Sequence, residues 1–397
     1  DVHDVLVRAP LYPRYEIGDM LKLSGKVTVP KIIYPHDTKN NSDGFDYASY
    51  LRIKNIGSEM MYPHIEVIDS DAHTVRYELG RLKESFVTRI DRYVSSPASS
   101  LASGMLFGAS SMQKELVETF RVAGLSHIVV LSGFNIVIVI SAILFVFGFV
   151  PLFLRIILAS ISVLLFVVMV GWEMSVIRAT LMAFISLLAL AVGRSYVAKQ
   201  ALIISLLLIV LYDPRALLHD VSLHLSFLAT AGLVYMTLPF EKIIRNFFKK
   251  PFLHFKEIVV TTLSAYVGTL PYVMYTFGTI SMYAVIANIL VVPFVPLAML
   301  LSFLVIVSSC LPALAGISET FSLLIGFINT ILINCMIGVA RTIEALPYSR
   351  IVVDISFPMM CFAYLSLALV IMYSARKFDD ETVVTKENGI ISDIIRY

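Results

Sequence analysis

Charge is what this sequence has least of. Only 15% of its 397 residues are charged, where a soluble domain carries about 25%. The 31 Lys and Arg nearly balance the 29 Asp and Glu, leaving +2, so no bulk polycation is present to bind nucleic acid by charge alone. Cysteine is scarce too. Cys310, Cys335 and Cys361 lie in apolar stretches and the polar N-terminal part has none, which excludes a disulfide scaffold and a thiolate zinc cluster. The histidines form no His-x-His pair, and His219 and His224 do not share a helix face, so a metallo-hydrolase site of that type is missing. No Gly-x-x-x-x-Gly-Lys-Ser/Thr loop cradles a nucleotide. Nothing resembles a serine nucleophile elbow. Neither enzyme activity nor a cofactor or metal is expected.

Apolar residues fill the gap, at 58% of the chain and a mean hydropathy of +0.82. The membrane is the solvent for most of this protein. Composition splits near residue 97: residues 1–97 hold 13 Lys and Arg against 14 Asp and Glu, and residues 98–397 hold 18 and 15 over three times the length. The chain begins at Asp1 without reading as a signal peptide, so a fragment lacking an N-terminal part is expected.

Residues 1–72 read as a small β domain. Alternation over 2–9, 20–29 and 65–69, with turn residues between and a short helical run at 48–54, predicts a partly open, OB-like barrel. Over 73–97 the apolar positions Val75, Leu79, Leu82, Phe86, Val87, Ile90 and Val94 recur at helical spacing among basic residues. That predicts an amphipathic helix along the membrane surface.

A span needs about 20 apolar residues. About nine such segments follow by that criterion, near 127–150, 152–171, 174–193, 199–212, 220–240, 258–277, 281–308, 317–341 and 355–375, making 98–375 a polytopic α-helical membrane domain. Pro293 and Pro296 predict a broken or re-entrant seventh segment. Residues 376–397 form a polar C-terminal tail. Arg155, Arg194, Lys199, Lys242, Arg245, Lys249, Lys250, Lys256, Arg376 and Lys377 fall in alternate loops. The positive-inside rule makes that side cytoplasmic and the β domain external.

Ionisable and amide side chains at bilayer depth mark pathways or internal polar contacts. Here they include His127, Asn135, Arg178, His224, Asn288, Asn329, Asn334, Arg341 and Glu344. His127 and Asn135 are eight apart, about two helical turns, with Ser132 and Gly133 between them. They line a conduit or serve as helix–helix hydrogen bonds. Arg178, four residues into a span, either snorkels to the interface or faces an aqueous path, where its fork would suit phosphate. The run 242–256, with Phe247, Phe248, Phe252 and Phe255 interleaved, fits anionic lipid or nucleic acid.

Several strings resemble the ComEC-type competence proteins. The first is MLFGASSMQKELVETFRVA followed by GLSHIVVLSGFNI at 105–136. SVIRATLMAFISLLALAVGR at 175–194 is the second, and Tyr212-Asp213-Pro214 followed by SLHLSFLATAGL, with its Leu225-Ser226-Phe227, is the third. The fourth is TLPYVMYTFGTISMYAVIANILVVPFVP at 269–296. FDYASYLRIKNIG at 45–57 is similar to the end of the family's external OB-like domain. The strings occur in the family's order.

That resemblance implies a channel for single-stranded DNA in the bacterial cytoplasmic membrane during natural transformation. It also implies an external DNA receptor, and a cytoplasmic ATPase or single-strand-binding proteins drawing the strand inward. His127, Ser132, Gly133, Asn135, Arg178 and Asn288 are then the conduit candidates. Within the −1 N-terminal part, DNA contact needs a patch such as Arg8, Lys26, Arg52 and Lys54. Many members carry a C-terminal metallo-β-lactamase-like domain; none is expected after Lys377, so strand degradation is expected elsewhere, or the DNA is expected to arrive single-stranded. Whether copies assemble into a homo-oligomer stays open. Two competing readings are a secondary transporter of a small solute, with Pro293 and Pro296 breaking a helix at a midplane site, and a non-conducting envelope scaffold.

Overall fold

Five short strands precede a run of helices. The computed structural model describes residues 4–10, 13, 15, 19–29, 51, 56–69, 75–108, 112–129, 133–171, 174–245, 253–310, 315–353 and 355–378. The strands are β1 (Asp4–Arg8), β2 (Met20–Ser24), β3 (Val27–Thr28), β4 (Ile56–Met61) and β5 (His64–Asp69). β4 lies between a parallel β1 and an antiparallel β3, and β2 pairs separately with β5. The stretch 20–29 divides at Gly25, where an added Cβ would lie 3.0 Å from that of Pro63, so the turn between β2 and β3 packs on the turn between β4 and β5. The alternation rule missed β4, whose Gly57, Ser58 and Glu59 break the apolar pattern. The helical run at 48–54 lies outside the described residues except Leu51, which is helical and buried.

Next come α1 (Val75–Tyr93), α2 (Ala98–Phe107), α3 (Lys114–Val122) and α4 (Ser126–Val129). α1 is amphipathic as its spacing predicts. Its last turns enter the core: Ile90 and Val94 are fully buried, Arg89 Nη1 donates to the Ser309 carbonyl at 2.6 Å, and Arg92 pairs with Glu319 at 2.8 Å. Its first half leaves Val75 and Leu82 exposed. α2 is too short to span at about 1.5 Å per residue, and nearly every residue of it is buried. Small Ala, Ser and Gly side chains let neighbours close around it. The main core gathers on this helix, with Phe120, Leu125, Val291, Val295, Met299, Ile333, Met336 and Ile337.

The remaining helices are α5 (Gly133–Val146), α6 (Leu152–Val170), α7 (Met174–Val192), α8 (Ala198–Tyr212), α9 (Ala216–His219), α10 (Val221–Arg245), α11 (Leu253–Phe277), α12 (Ala284–Val291), α13 (Val295–Ser309), α14 (Ala315–Glu344) and α15 (Phe357–Phe378). Six helical segments among the described residues are long and apolar enough to cross a membrane: Leu152–Val170, Ser175–Val192, Val221–Ile244, Lys256–Phe277, Ala284–Ser309 and Ser318–Glu344. The other three expected spans hold shorter apolar helices, Asn135–Val146, Ala198–Tyr212 and Phe357–Met372. The first, at 127–150, runs across both α4 and α5, and the second, at 199–212, coincides with a helix of only 15 residues. The segment Ala284–Ser309 is interrupted by a 3₁₀ turn at Val292–Phe294, where the prolines supply no amide donor. Outward-facing Leu211, Phe327 and Phe362 are largely exposed, as suits a surface whose solvent is lipid.

A hairpin of two 25-residue helices, α10 and α11, is the longest contact in the bundle. Its helices meet at glycine. A Cβ on Gly268 would stand 2.8 Å from the Leu228 carbonyl oxygen and 2.9 Å from Gly232 Cα, so only backbone fits at the crossing. Tyr364 of α15 donates to the Gly268 carbonyl at 3.1 Å. A two-stranded ribbon, β6 (Thr279–Ser281) with β7 (Arg350–Val352), ties the exit of α11 to the entry of α15.

Candidate functional site

Arg178 stands about one turn into α7 and is 7% exposed, so it does not snorkel. Its Nη1 lies 3.2 Å from the Thr230 hydroxyl on α10 and 3.1 Å from Met182 Sδ, one turn deeper along its own helix. The guanidinium also lies 5.8 Å from the centre of the Phe227 ring. Its Nε is buried without a partner. Among the described residues no carboxylate pairs with it. The guanidinium is thus a buried cation held between two helices by neutral contacts. Tyr196, in the link from α7 to α8, is close enough for its phenol to feel the Arg178 charge; burial pushes that phenol above its usual 10.0, and Arg178 opposes the shift.

The other conduit candidates occupy different environments. His127 is exposed on α4, and Gly133 opens α5. Ser132 lies outside the described residues. Asn135 is buried and donates through Nδ2 to the Met105 carbonyl at 2.9 Å, joining α5 to α2. Asn288 on α12 is 8% exposed, and its Oδ1 is buried without a partner. Asn329 donates to Ser302 Oγ at 2.9 Å and, with the Ser308–Ser322 bond of 2.7 Å, forms a polar seam between α13 and α14. His224 bridges the Tyr272 hydroxyl at 2.6 Å and the Leu217 carbonyl at 2.7 Å. Asn334, Arg341 and Glu344 are exposed.

In the β region, Arg8 is paired in register with Met61, and Val27 with Met60. Arg8 and Lys26 therefore flank Met61 at one end of the sheet, both exposed. Arg52 and Lys54 lie outside the described residues, as do Lys249 and Lys250. Of the run 242–256, Lys256 is buried and paired with Glu241 at 3.0 Å.

Sequence reasoning missed Thr230, Tyr196 and Met105. A hydroxyl or carbonyl partner carries no spacing signal, and only the packing of α7 on α10 and of α5 on α2 reveals it.

Residues 105–378 match the family described as Competence protein, well over half of the chain. The chain belongs to the competence protein family. The matched region runs from Met105 in the buried α2 to the end of α15. It holds the Arg178 site, the glycine crossing and the interrupted α12–α13 helix. Among curated proteins, ComE operon protein 3 of Bacillus subtilis (strain 168) is 23% identical over 255 residues, covering 63% of this chain and 31% of that protein. This competence-family chain thus spans about a third of the length of the curated relative it matches. No solved structure matches it.

Proposed function

We propose that this competence-family protein conducts single-stranded DNA across the bacterial cytoplasmic membrane during natural transformation. The observation that carries the reading is Arg178, a buried guanidinium with an orphaned Nε and no carboxylate partner among the described residues. A phosphodiester supplies the charge and the planar acceptor geometry that such a fork recognises. The protein performs no covalent chemistry in this reading. The β region faces outward and receives DNA from an external receptor, while a cytoplasmic ATPase or single-strand-binding proteins draw the strand inward.

The competing reading, transport of a small solute, is favoured by one feature. Asn288 carries an unpartnered Oδ1 one turn before the 3₁₀ interruption, as in a broken-helix solute site.

Labelled DNA counted separately on the surface and inside cells separates the two. Deletion of the protein, or Arg178→Ala in a normally inserted copy, should leave surface binding intact and abolish internal DNA. Unchanged internal DNA in the deletion strain would refute the reading.

A further inference from the structure

Arg178 is not alone on its face of α10. Eight residues beyond Phe227, about 12 Å along the helix, Tyr235 receives a second cation: Lys199 Nζ, from the start of α8, lies 5.4 Å from its ring centre. Tyr196 stands between the two cations in sequence and feels the first of them. No carboxylate of the described residues pairs with Lys199 or Arg178. The set runs from buried to open: Arg178 is buried, Phe227 and Tyr196 are half-buried, and Tyr235 and Lys199 are exposed. Because the Arg178 guanidinium reaches Met182 rather than the near end of α7, it points along the same direction.

We propose that α7, α8 and α10 form a stacking track for single-stranded nucleic acid, in which bases stack on Phe227 and Tyr235 and phosphates pair with Arg178 and Lys199. This rests on the DNA-conducting reading above and adds its binding groups. Alternating cations and aromatic rings suit a single strand because every base has a π-face, whatever the sequence. Each cation lies over the ring that a base would take. An entering base replaces the cation on the ring, and the freed cation meets the following phosphate with a charge-assisted bond. The track ends at Lys199, on the side carrying the basic loops, so it leads from the bundle interior toward the cytoplasmic face.

The test is equilibrium binding to the full chain in lipid nanodiscs. Two labelled probes of equal length serve: an oligothymidylate and an abasic oligodeoxyribose phosphate. Wild type should favour the base-bearing probe by roughly tenfold. Tyr235→Leu, at an exposed position where the fold is indifferent, should remove most of that preference and leave abasic binding in place; Tyr235→Phe should retain it. Lys199→Gln should weaken both probes and reduce the salt slope by roughly 0.7. An unchanged preference in both Tyr235→Leu and Phe227→Leu overturns the track while leaving DNA conduction standing. A wild-type protein that binds neither probe overturns both.

Discussion

Arg178 meets Thr230 across the α7–α10 interface, with Nη1 3.2 Å from the hydroxyl oxygen. Thr230 itself donates to the Ser226 carbonyl at 2.9 Å, so its oxygen is oriented as an acceptor for the guanidinium. Together with Met182 Sδ and the Phe227 ring, this neutral contact holds the direction of the cation without neutralising it. Among the described residues no carboxylate neutralises the charge.

Arg178→Met should therefore separate stability from function. Replacing a buried, uncompensated charge by an apolar side chain of similar length is neutral or stabilising, so the thermal midpoint in detergent should hold or rise. Transformation frequency should fall by tenfold or more, since about 1.4 kcal/mol of lost phosphate interaction already accounts for that factor. Arg178→Lys should restore little, because an ammonium cannot fork.

Gly268→Val tests the hairpin. The added side chain meets the Leu228 carbonyl and Gly232 Cα and forces α10 from α11, at a cost of about 1–3 kcal/mol. Thermal denaturation of the purified protein should show it, and an unchanged midpoint would contradict the close approach.

Asn135→Leu leaves the Met105 carbonyl buried without its donor. The expected loss is about 1–3 kcal/mol, read as a lower thermal midpoint. Were Asn135 a pathway group only, transport would fail at unchanged stability.

Lys256 is buried and its partner Glu241 is about half exposed. Glu241→Ala should cost about 1–2 kcal/mol once screening of the exposed carboxylate is counted. Lys256→Met removes the buried charge and should cost less. A double-mutant cycle measures the coupling, and equal single losses with no coupling would exclude the pair.

Tyr196 supplies a pH dependence. Its folded phenol titrates above the usual 10.0 because of burial. A raised value means the stabilising contribution is complete below the unfolded value and is lost as pH rises through the folded one. Wild type and Tyr196→Phe should keep a constant stability difference up to pH 10 and diverge above it, wild type losing more.

The sequence by itself determined the solvent. A scarcity of charge and long apolar runs leave no option but helices in lipid, because backbone amides there must bond internally. It also determined the family, through ordered strings such as GLSHIVVLSGFNI, and the break at Pro293, since a missing amide is a property of the residue alone. What only tertiary structure decided is which polar side chain meets which. Periodicity could not say that α2, 15 Å long on the usual rise, is the centre of the core, because burial on every side leaves no amphipathic stripe to detect. Nor could it choose between a snorkelling Arg178 and a buried one. Both have the same spacing from the helix end, and the choice depends on Thr230 and Phe227 arriving from a helix some fifty residues away. For Asn135, readable as conduit group or strut, only the packing of α5 on α2 shows a carbonyl 2.9 Å from its amide. Pairing across helices is a property of their packing, and local residue patterns do not carry it.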